Sequence, residues 1–187
     1  MVNKDIETQV RKARAGQASA WEFLFHRYQK PLYVYCFELA RDEQLSLDLV
    51  QDTFVQASKH LESLREDGKF GSWLFSLAHQ KILGHWRKRK TELLELDEEG
   101  ACVEDDKPVP SEILVDLEQQ STLLASIQEL AEEHRSALLL FYLEDFSLFQ
   151  IAEITATPLG TVKSRLYYAK KQLQRKLKEQ NYEKNHP

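Results

Sequence analysis

The sequence predicts an all-α protein made of two small helical domains joined by an acidic linker. Apolar residues recur at three- and four-residue steps through most of the 187 residues, which is the spacing of the inward face of a helix. No alternating apolar pattern of useful length indicates a strand. Between the helical parts, residues 92–112 hold nine Asp or Glu and a single Lys, together with Gly100, Pro108 and Pro110. That composition is typical of an extended, self-repelling linker.

The chain length and the linker set the expected domain boundaries. A chain of this length can hold two small domains, each with a modest core. The predicted units are a first domain at 1–92, the linker at 93–111, a second domain at 112–180 and a polar tail at 181–187. The net charge of −5 argues against a protein that coats nucleic acid without selectivity. The charge is nevertheless uneven, because basic segments at 81–90 and 159–178 flank the acidic one.

Four helices are predicted in the first domain, at 3–15, 18–40, 46–66 and 70–90. The apolar face of the second comprises Trp21, Leu24, Phe25, Tyr28 and Leu32. Pro31 predicts a kink in that helix. Ser46 is expected to cap the third helix, and Gly68 to follow its end.

The second domain is expected to end in a helix-turn-helix. Two helices precede it, at 112–130 and 132–144. Ser147 and Gln150 match a capping box that starts a short helix, and Thr157 with Pro158 matches the N-cap and first position of the next one. The buried stripe of this last helix comprises Val162, Leu166, Ala169, Leu173 and Leu177. Residues 159–178 carry seven Lys or Arg and no Asp or Glu.

A short helix, a tight turn and a long basic helix are typical of a motif that enters the major groove of DNA. The predicted DNA contacts are Thr161, Lys163, Ser164, Arg165, Tyr167, Tyr168, Lys170 and Lys171. Lys163 and Ser164 lie in the first turns, where base edges are reached. Lys170 and Lys171 are expected at phosphates, whereas Arg165 fits a base, a phosphate or the acidic helix before it. The alternative is a solvated basic helix in an ordinary bundle, but seven unopposed cations favour nucleic acid.

The sequence predicts no catalytic residue, no cofactor and no metal site. Cys36 lies in an apolar helical run and Cys102 in the linker, without the spacing of a metal site, so both are expected to be reduced thiols. No glycine loop that cradles phosphate and no nucleophile–base pair is present. The amino terminus is charged, and the longest apolar run, 137–143, is too short to span a membrane. We therefore expect a cytoplasmic, non-enzymatic protein without membrane insertion.

Three segments, taken in order, resemble the extracytoplasmic-function group of bacterial sigma factors. They are DLVQDTFVQA at 48–57, FGSWLFSLAHQ at 70–80 and LAEEHRSALLLFYLEDFSLFQIAEITATPLGTVKSRL at 130–166. The resemblance covers almost the whole chain. It implies two helical domains, regions 2 and 4, that bind core RNA polymerase and direct it to promoters. Region 2 would read the −10 element and region 4 the −35 element, and an anti-sigma factor is implied as a further partner.

Two surfaces of the first domain follow from the helical pattern and the resemblance together. Burial of the stripe on helix 46–66 turns carboxylate, amide and apolar side chains outward, and by resemblance this surface binds the clamp helices of the polymerase. The predicted polymerase contacts are Asp48, Leu49, Gln51, Asp52 and Val55. On helix 70–90, cations can neutralise phosphates and exposed aromatic rings can stack on unpaired bases. The predicted −10 contacts are His79, Gln80, Lys81, His85, Trp86, Arg87 and Lys88. Trp73 is expected to pack in the core. Phe75, His79 and Trp86 form a second aromatic stripe, for which packing on a neighbouring helix is the alternative.

The chain departs from the family pattern in three places. Leu47 replaces a usual carboxylate, Gln80 and Gly84 replace a usual Asn and Asp, and Tyr167 with Tyr168 stands where a cation often follows. Two other functions therefore stay open. One is a helix-turn-helix regulator that binds duplex DNA alone, although no receiver or ligand domain accompanies it. The other is a degenerate sigma-like protein that binds its partner without opening promoters.

Overall fold

The computed structural model describes residues 2–96 and 126–185. Seven helices lie in those ranges: α1 (Val2–Arg14), α2 (Ala18–Ala40), α3 (Glu43–His60), α4 (Phe70–Leu96), α5 (Glu132–Leu143), α6 (Leu148–Thr155) and α7 (Leu159–Asn185). Two 3-10 turns, Leu61–Ser63 and Asp67–Lys69, connect α3 to α4, and residues 126–128 are also helical. The described ranges contain no strand, so the all-α prediction is confirmed.

Helices α1 to α4 share one apolar core around α2, which packs against the other three. Its largest fully buried side chains include Leu24, Leu32, Tyr35, Phe70, Leu74 and Phe75. Arg14 at the end of α1 donates to the carboxylate of Asp67 (2.8 Å) and to the carbonyl of Leu64 (2.9 Å). These bonds hold the connection between α3 and α4 against α1.

The start predicted for α3 was wrong. Asp42 is the N-cap, and its carboxylate accepts from the backbone N–H of Leu45 (2.9 Å). Ser46 is buried inside the helix and donates to the carbonyl of Asp42 instead. Aspartate and serine are both good N-caps. Residues 43–45 are compatible with a helix, so the helix already starts after Asp42. α3 also ends at His60 rather than 66, and α4 continues past 90 to Leu96.

The predicted capping box at the start of α6 is confirmed. The backbone N–H of Ser147 donates to the Gln150 side-chain oxygen (2.9 Å), and the N–H of Gln150 donates to the Ser147 hydroxyl (3.3 Å). After α6, Ala156 adopts the left-handed conformation (φ 50°), which produces the sharp turn. α7 begins at Leu159, one residue after Pro158 and one later than predicted. The first 14 residues of the helix expected at 112–130, and the expected linker from 97 onwards, lie outside the described residues.

Removal of this cap gives a first test of the fold. Ser147→Ala should lower the free energy of unfolding by about 1 kcal/mol, because the Gln150 N–H loses its acceptor. Urea denaturation followed by circular dichroism measures it. Ser164→Ala is the matched control, since the Ser164 hydroxyl bonds back to the Gly160 carbonyl within α7 and caps nothing. Equal losses in the two variants would contradict the capping role.

The two domains pack directly against each other. α6 lies against α4, and α5 lies against α2. Phe75 of α4 meets Phe146, which precedes α6, edge to face with ring centroids 5.3 Å apart. Buried apolar side chains of both domains therefore form one continuous core. This packing decides which predicted site residues are accessible.

Candidate functional site

An apolar groove of about 930 Å³ runs along the surface between α2 and α3. Its apolar lining consists of Trp21, Phe25, Tyr33, Leu47, Val50, Phe54 and Val55, and its polar lining of Glu22, Gln29, Lys30, Gln51 and Ser58. Phe25 and Phe54 meet edge to face across it at 4.9 Å, and Val55 is 44% exposed. Contiguous exposed apolar surface of this kind marks a binding site for another molecule.

Of the residues predicted to bind polymerase, Asp48, Gln51, Asp52 and Val55 are exposed. Gln51 and Val55 line the groove, and the two carboxylates lie outside its lining. Leu49 was assigned wrongly, because its side chain is only 7% exposed and belongs to the core.

The groove also contains residues that sequence reasoning missed. Leu47 is exposed and lines the groove. From the sequence alone it is only a departure from the family pattern, in which a carboxylate usually stands at this position. Phe25 was assigned to the inward face of its helix, but its ring is exposed at the groove. The sequence did contain a signal for this groove. Helix α2 has aromatic residues on more than one side, so its apolar face is too wide to be covered by one neighbouring helix.

The basic part of α4 adjoins α3. Lys81 Nζ lies 3.5 Å from the carboxylate of Asp52 on α3, so a predicted −10 contact and a predicted polymerase contact are neighbours. Gln80 and Arg87 are exposed, whereas His85 and Trp86 are half-buried. Trp86 packs partly against the core. The side chain of Lys88 lies outside the described residues.

His79, also predicted to contact DNA, is buried between the two domains and only 6% exposed. Its Nδ1 forms a 2.8 Å hydrogen bond with the hydroxyl of Tyr35, which also bonds the hydroxyl of Ser136 on α5 (2.9 Å). Burial lowers the pKa of His79 to about 4, and the nearby Arg165 guanidinium acts in the same direction. The imidazole is therefore neutral near pH 7. In this closed arrangement the second domain covers His79, so the predicted DNA contact of this side chain is unavailable until the domains separate.

Arg135 of α5 makes a second polar contact across the domain interface. Its buried guanidinium donates to the carbonyl of Glu38 near the end of α2 (2.7 Å) and to that of Leu130 (3.0 Å). Arg27 adds an ion pair with Glu144 at 3.2 Å. No local sequence signal identifies these residues, since each partner lies in the other domain.

The predicted DNA face of α7 is accessible. Its exposed members are Lys163, Ser164, Tyr167, Tyr168, Lys170 and Lys171, whereas Thr161 and Arg165 are half-buried. Val162, Leu166 and Ala169 are buried, which confirms the start of the predicted stripe. Lys170 Nζ lies over the rings of Phe141 (5.1 Å) and Tyr142 (5.6 Å). α7 thus presents a row of cations and tyrosines to solvent.

Within residues 2–96 and 126–185, no group of three His, Cys, Asp or Glu could hold a metal ion. None of the helices in the described part of the chain is long and apolar enough to cross a membrane. The groove and the two basic helices are therefore the surfaces from which function has to be argued.

Comparison with known proteins gives matches to both domains. The family model for sigma-70 region 2 matches residues 24–92, and a sigma-70 region 4 model matches 120–173. The ECF RNA polymerase sigma factor SigW of Bacillus subtilis (strain 168) is 26% identical over 183 residues, covering 93% of this chain and 97% of the relative. The RNA polymerase sigma-H factor of Pseudomonas aeruginosa is 27% identical over 176 residues, 90% of this chain and 91% of the relative.

Solved structures agree with these matches. The sigma factor RpoE of Bartonella quintana, solved in complex with the anti-sigma factor NepR, superposes with a TM-score of 0.70 at 26% identity. That likeness covers 84% of this chain and 96% of the other. CnrH in complex with the cytosolic domain of CnrY gives a TM-score of 0.67 at 21% identity, a likeness of fold, over 93% and 97% of the two chains.

Proposed function

The chain belongs to the extracytoplasmic-function group of bacterial sigma factors, and we propose on this basis that it binds core RNA polymerase and directs it to promoters. The observation that carries this function is the match of regions 2 and 4, in order, over 24–92 and 120–173. Sigma factors are non-enzymatic initiation factors. Accordingly, we assign no catalytic residue or cofactor, and place the protein in the cytoplasm with its polymerase.

The groove between α2 and α3 is the proposed polymerase site. An apolar trough with an aromatic floor suits the apolar face of an amphipathic helix from the partner. Val55 and Leu47 supply exposed apolar contacts, and Gln51 a polar one. Asp48 and Asp52 add exposed carboxylates on the same helix, which suit a polar rim.

The basic part of α4 is the proposed −10 site. The proposed contacts are Gln80, Lys81, His85, Trp86, Arg87 and Lys88. Lys81 and Arg87 can neutralise phosphates. The ring of Trp86 is half-buried, so its exposed edge or face could stack on one unpaired base.

The outer face of α7 is the proposed −35 site, comprising Thr161, Lys163, Ser164, Arg165, Tyr167, Tyr168, Lys170 and Lys171. Lys163→Ala should cost about 1–3 kcal/mol of promoter discrimination, since a base-edge donor is lost. Footprinting with the polymerase on promoter variants measures it. Lys171→Ala is the control, and should weaken all sequences alike. An unchanged base preference at −35 in Lys163→Ala would reject its role.

Promoter binding requires the two domains to separate. The −10 and −35 elements lie about 25 base pairs apart, or about 85 Å at about 3.4 Å per base pair. In the closed arrangement the hydroxyls of Tyr35 and Ser136, one in each domain, are 2.9 Å apart. The 15 residues at 97–111, which follow the end of α4, could span about 50 Å when extended. We therefore propose that the polymerase holds the domains apart and sets the distance between them.

An anti-sigma factor is a further proposed partner. The RpoE structure that this chain resembles at 26% identity contains the anti-sigma factor NepR. The same two-domain architecture, with an interface of polar and aromatic contacts, supports a partner that stabilises the closed arrangement.

The function is tested by run-off transcription of the cognate genome with purified core polymerase, with and without this protein, followed by sequencing of the 5′ ends. New starts that share a two-part upstream element would establish the sigma role and supply the promoter. Co-purification with core without new starts would instead support a degenerate protein that does not open promoters. Failure both to associate and to transcribe would support a regulator that binds duplex DNA alone.

A further inference from the structure

The face of α7 opposite its buried stripe consists of Gly160, Ser164, Tyr167 and Lys171, all exposed. Their spacing of four, three and four residues places them in one row along the helix. The first two are small, and a Cβ added to Gly160 would meet nothing within 4 Å. The amino-terminal part of the row can therefore approach a surface closely, and Tyr167 is its first large side chain.

Cations lie beside this row rather than in its first half. Lys163 and Lys170 are offset from it by about a quarter turn of helix, and Lys170 is held over the rings of Phe141 and Tyr142. For a helix in the major groove, phosphates lie at the edges and base edges lie in the middle. Tyr167 therefore occupies a base-facing position and Lys170 a phosphate-facing one, whereas Lys163, in the first turns of the helix, keeps the base-edge role proposed above.

A chain of aromatic contacts holds Tyr167 in place. Its ring meets that of Tyr168 edge to face, with centroids 5.4 Å apart at 76°. Tyr168 stacks on His134 of α5 at 6.2 Å and 21°. The His134 Nδ1 is buried and makes no hydrogen bond within the described residues, and the contact of this ring with Tyr168 is the stacking of the two faces. Tyr167 itself is 61% exposed, and an exposed ring braced from behind loses little freedom on binding.

We propose that Tyr167 is a specificity-determining residue of the −35 contact that reads a thymine through its 5-methyl group, and that His134 is a positioning residue that braces it through Tyr168. The thymine methyl is the apolar feature of the major-groove edge, and apolar side chains recognise it by contact. This inference rests on the proposed function, because it requires α7 to lie in the groove of a −35 element.

The test uses the holoenzyme and a promoter fragment found by run-off transcription. Each −35 thymine is replaced in turn by deoxyuridine, which removes only the methyl group, and the dissociation constant is measured. At one position we expect wild-type holoenzyme to bind about fourfold more weakly, the effect of burying one methyl group. Tyr167→Ala should lose this sensitivity to deoxyuridine, and Tyr167→Phe should keep it.

Variants of His134 separate positioning from a general structural role. His134→Ala should reduce the thymine–deoxyuridine ratio at that one position, and His134→Phe, which keeps a stacking ring, should restore it. A structural role alone would weaken binding to every fragment and leave the ratio unchanged, which would overturn the assignment of His134.

The remaining outcomes distinguish failure of the Tyr167 proposal from failure of the proposed sigma function. If the holoenzyme opens the promoter but no thymine is sensitive, the Tyr167 proposal is overturned and the sigma function stands. If Tyr167→Phe instead weakens binding to all fragments equally, the phenol contacts a phosphate and the proposal is also overturned. If no promoter is bound at all, the proposed function fails, and this inference fails with it.

Discussion

Val55→Glu should weaken the binding of core RNA polymerase by about a hundredfold, because it introduces an unpaired charge into an apolar contact. Val55 lies on α3 at the wall of the groove, is 44% exposed and does not belong to the buried core. The substitution should therefore leave the fold intact. The measurement is a titration of fluorescently labelled protein with core enzyme, with circular dichroism as the check on folding.

The matched control adds one negative charge to the same helix outside the groove. His60, the last residue of α3, is exposed and does not line the groove. His60→Glu should bind the polymerase within about threefold of wild type, as expected for a peripheral surface substitution. If the two variants bind equally well, the groove is not the polymerase site. Loss of transcription with retained binding would place the effect of Val55 at a later step.

The second large effect is a pH dependence that comes from His79. Its pKa is about 4 in the folded protein and 6.5 otherwise, so the unfolded chain binds more protons between these values. The contribution of this residue to stability is thus fully present above pH 6.5 and is lost as the pH falls toward 4. The expected loss by pH 4 is about 3 kcal/mol.

A difference measurement isolates this contribution. Burial raises the pKa values of Glu38 and Glu144, and these groups act with the opposite sign, since the folded state then holds protons more tightly. Urea denaturation should therefore be compared between wild type and His79→Phe at several pH values. The control, Ser136→Ala, removes a hydrogen bond of the same network and should lower stability about equally at every pH. Parallel curves for wild type and His79→Phe would refute the prediction.

Sequence periodicity predicted the helices and the buried stripe of α7 well because both depend on neighbours within one segment. The capping box at Ser147 and Gln150 involves residues three apart, and the stripe of α7 repeats every three or four residues. Such features are fixed by local geometry. The wrong N-cap predicted for α3 also has a local cause, because Asp42, four residues before Ser46, is an equally suitable cap.

The errors of the site assignment have a different origin. Whether His79 is exposed depends on Tyr35 and Ser136, and the latter two are 101 residues apart in the chain. Helical periodicity indicates which side of a helix faces its own domain, but not which exposed patch a second domain covers. The assignments of Leu49 and Phe25 failed for a related reason, because burial depends on the neighbouring helix: Leu49 is buried in the core, whereas Phe25 packs on Phe54 of α3 and stays exposed at the groove.

The closed interface around Tyr35, His79 and Ser136 also makes DNA affinity depend on a conformational population. Both promoter elements can be bound at once only by molecules whose domains have separated, so for this two-site binding the apparent dissociation constant is the intrinsic one divided by that fraction. If about one molecule in a hundred is open, free protein binds promoters about a hundredfold more weakly than its DNA contacts alone allow. The groove between α2 and α3 is accessible in the closed form. The polymerase can therefore bind the closed form first, and the domains can separate afterwards. A mutation at the interface between the two domains should then change DNA binding although the mutated residue makes no contact with DNA.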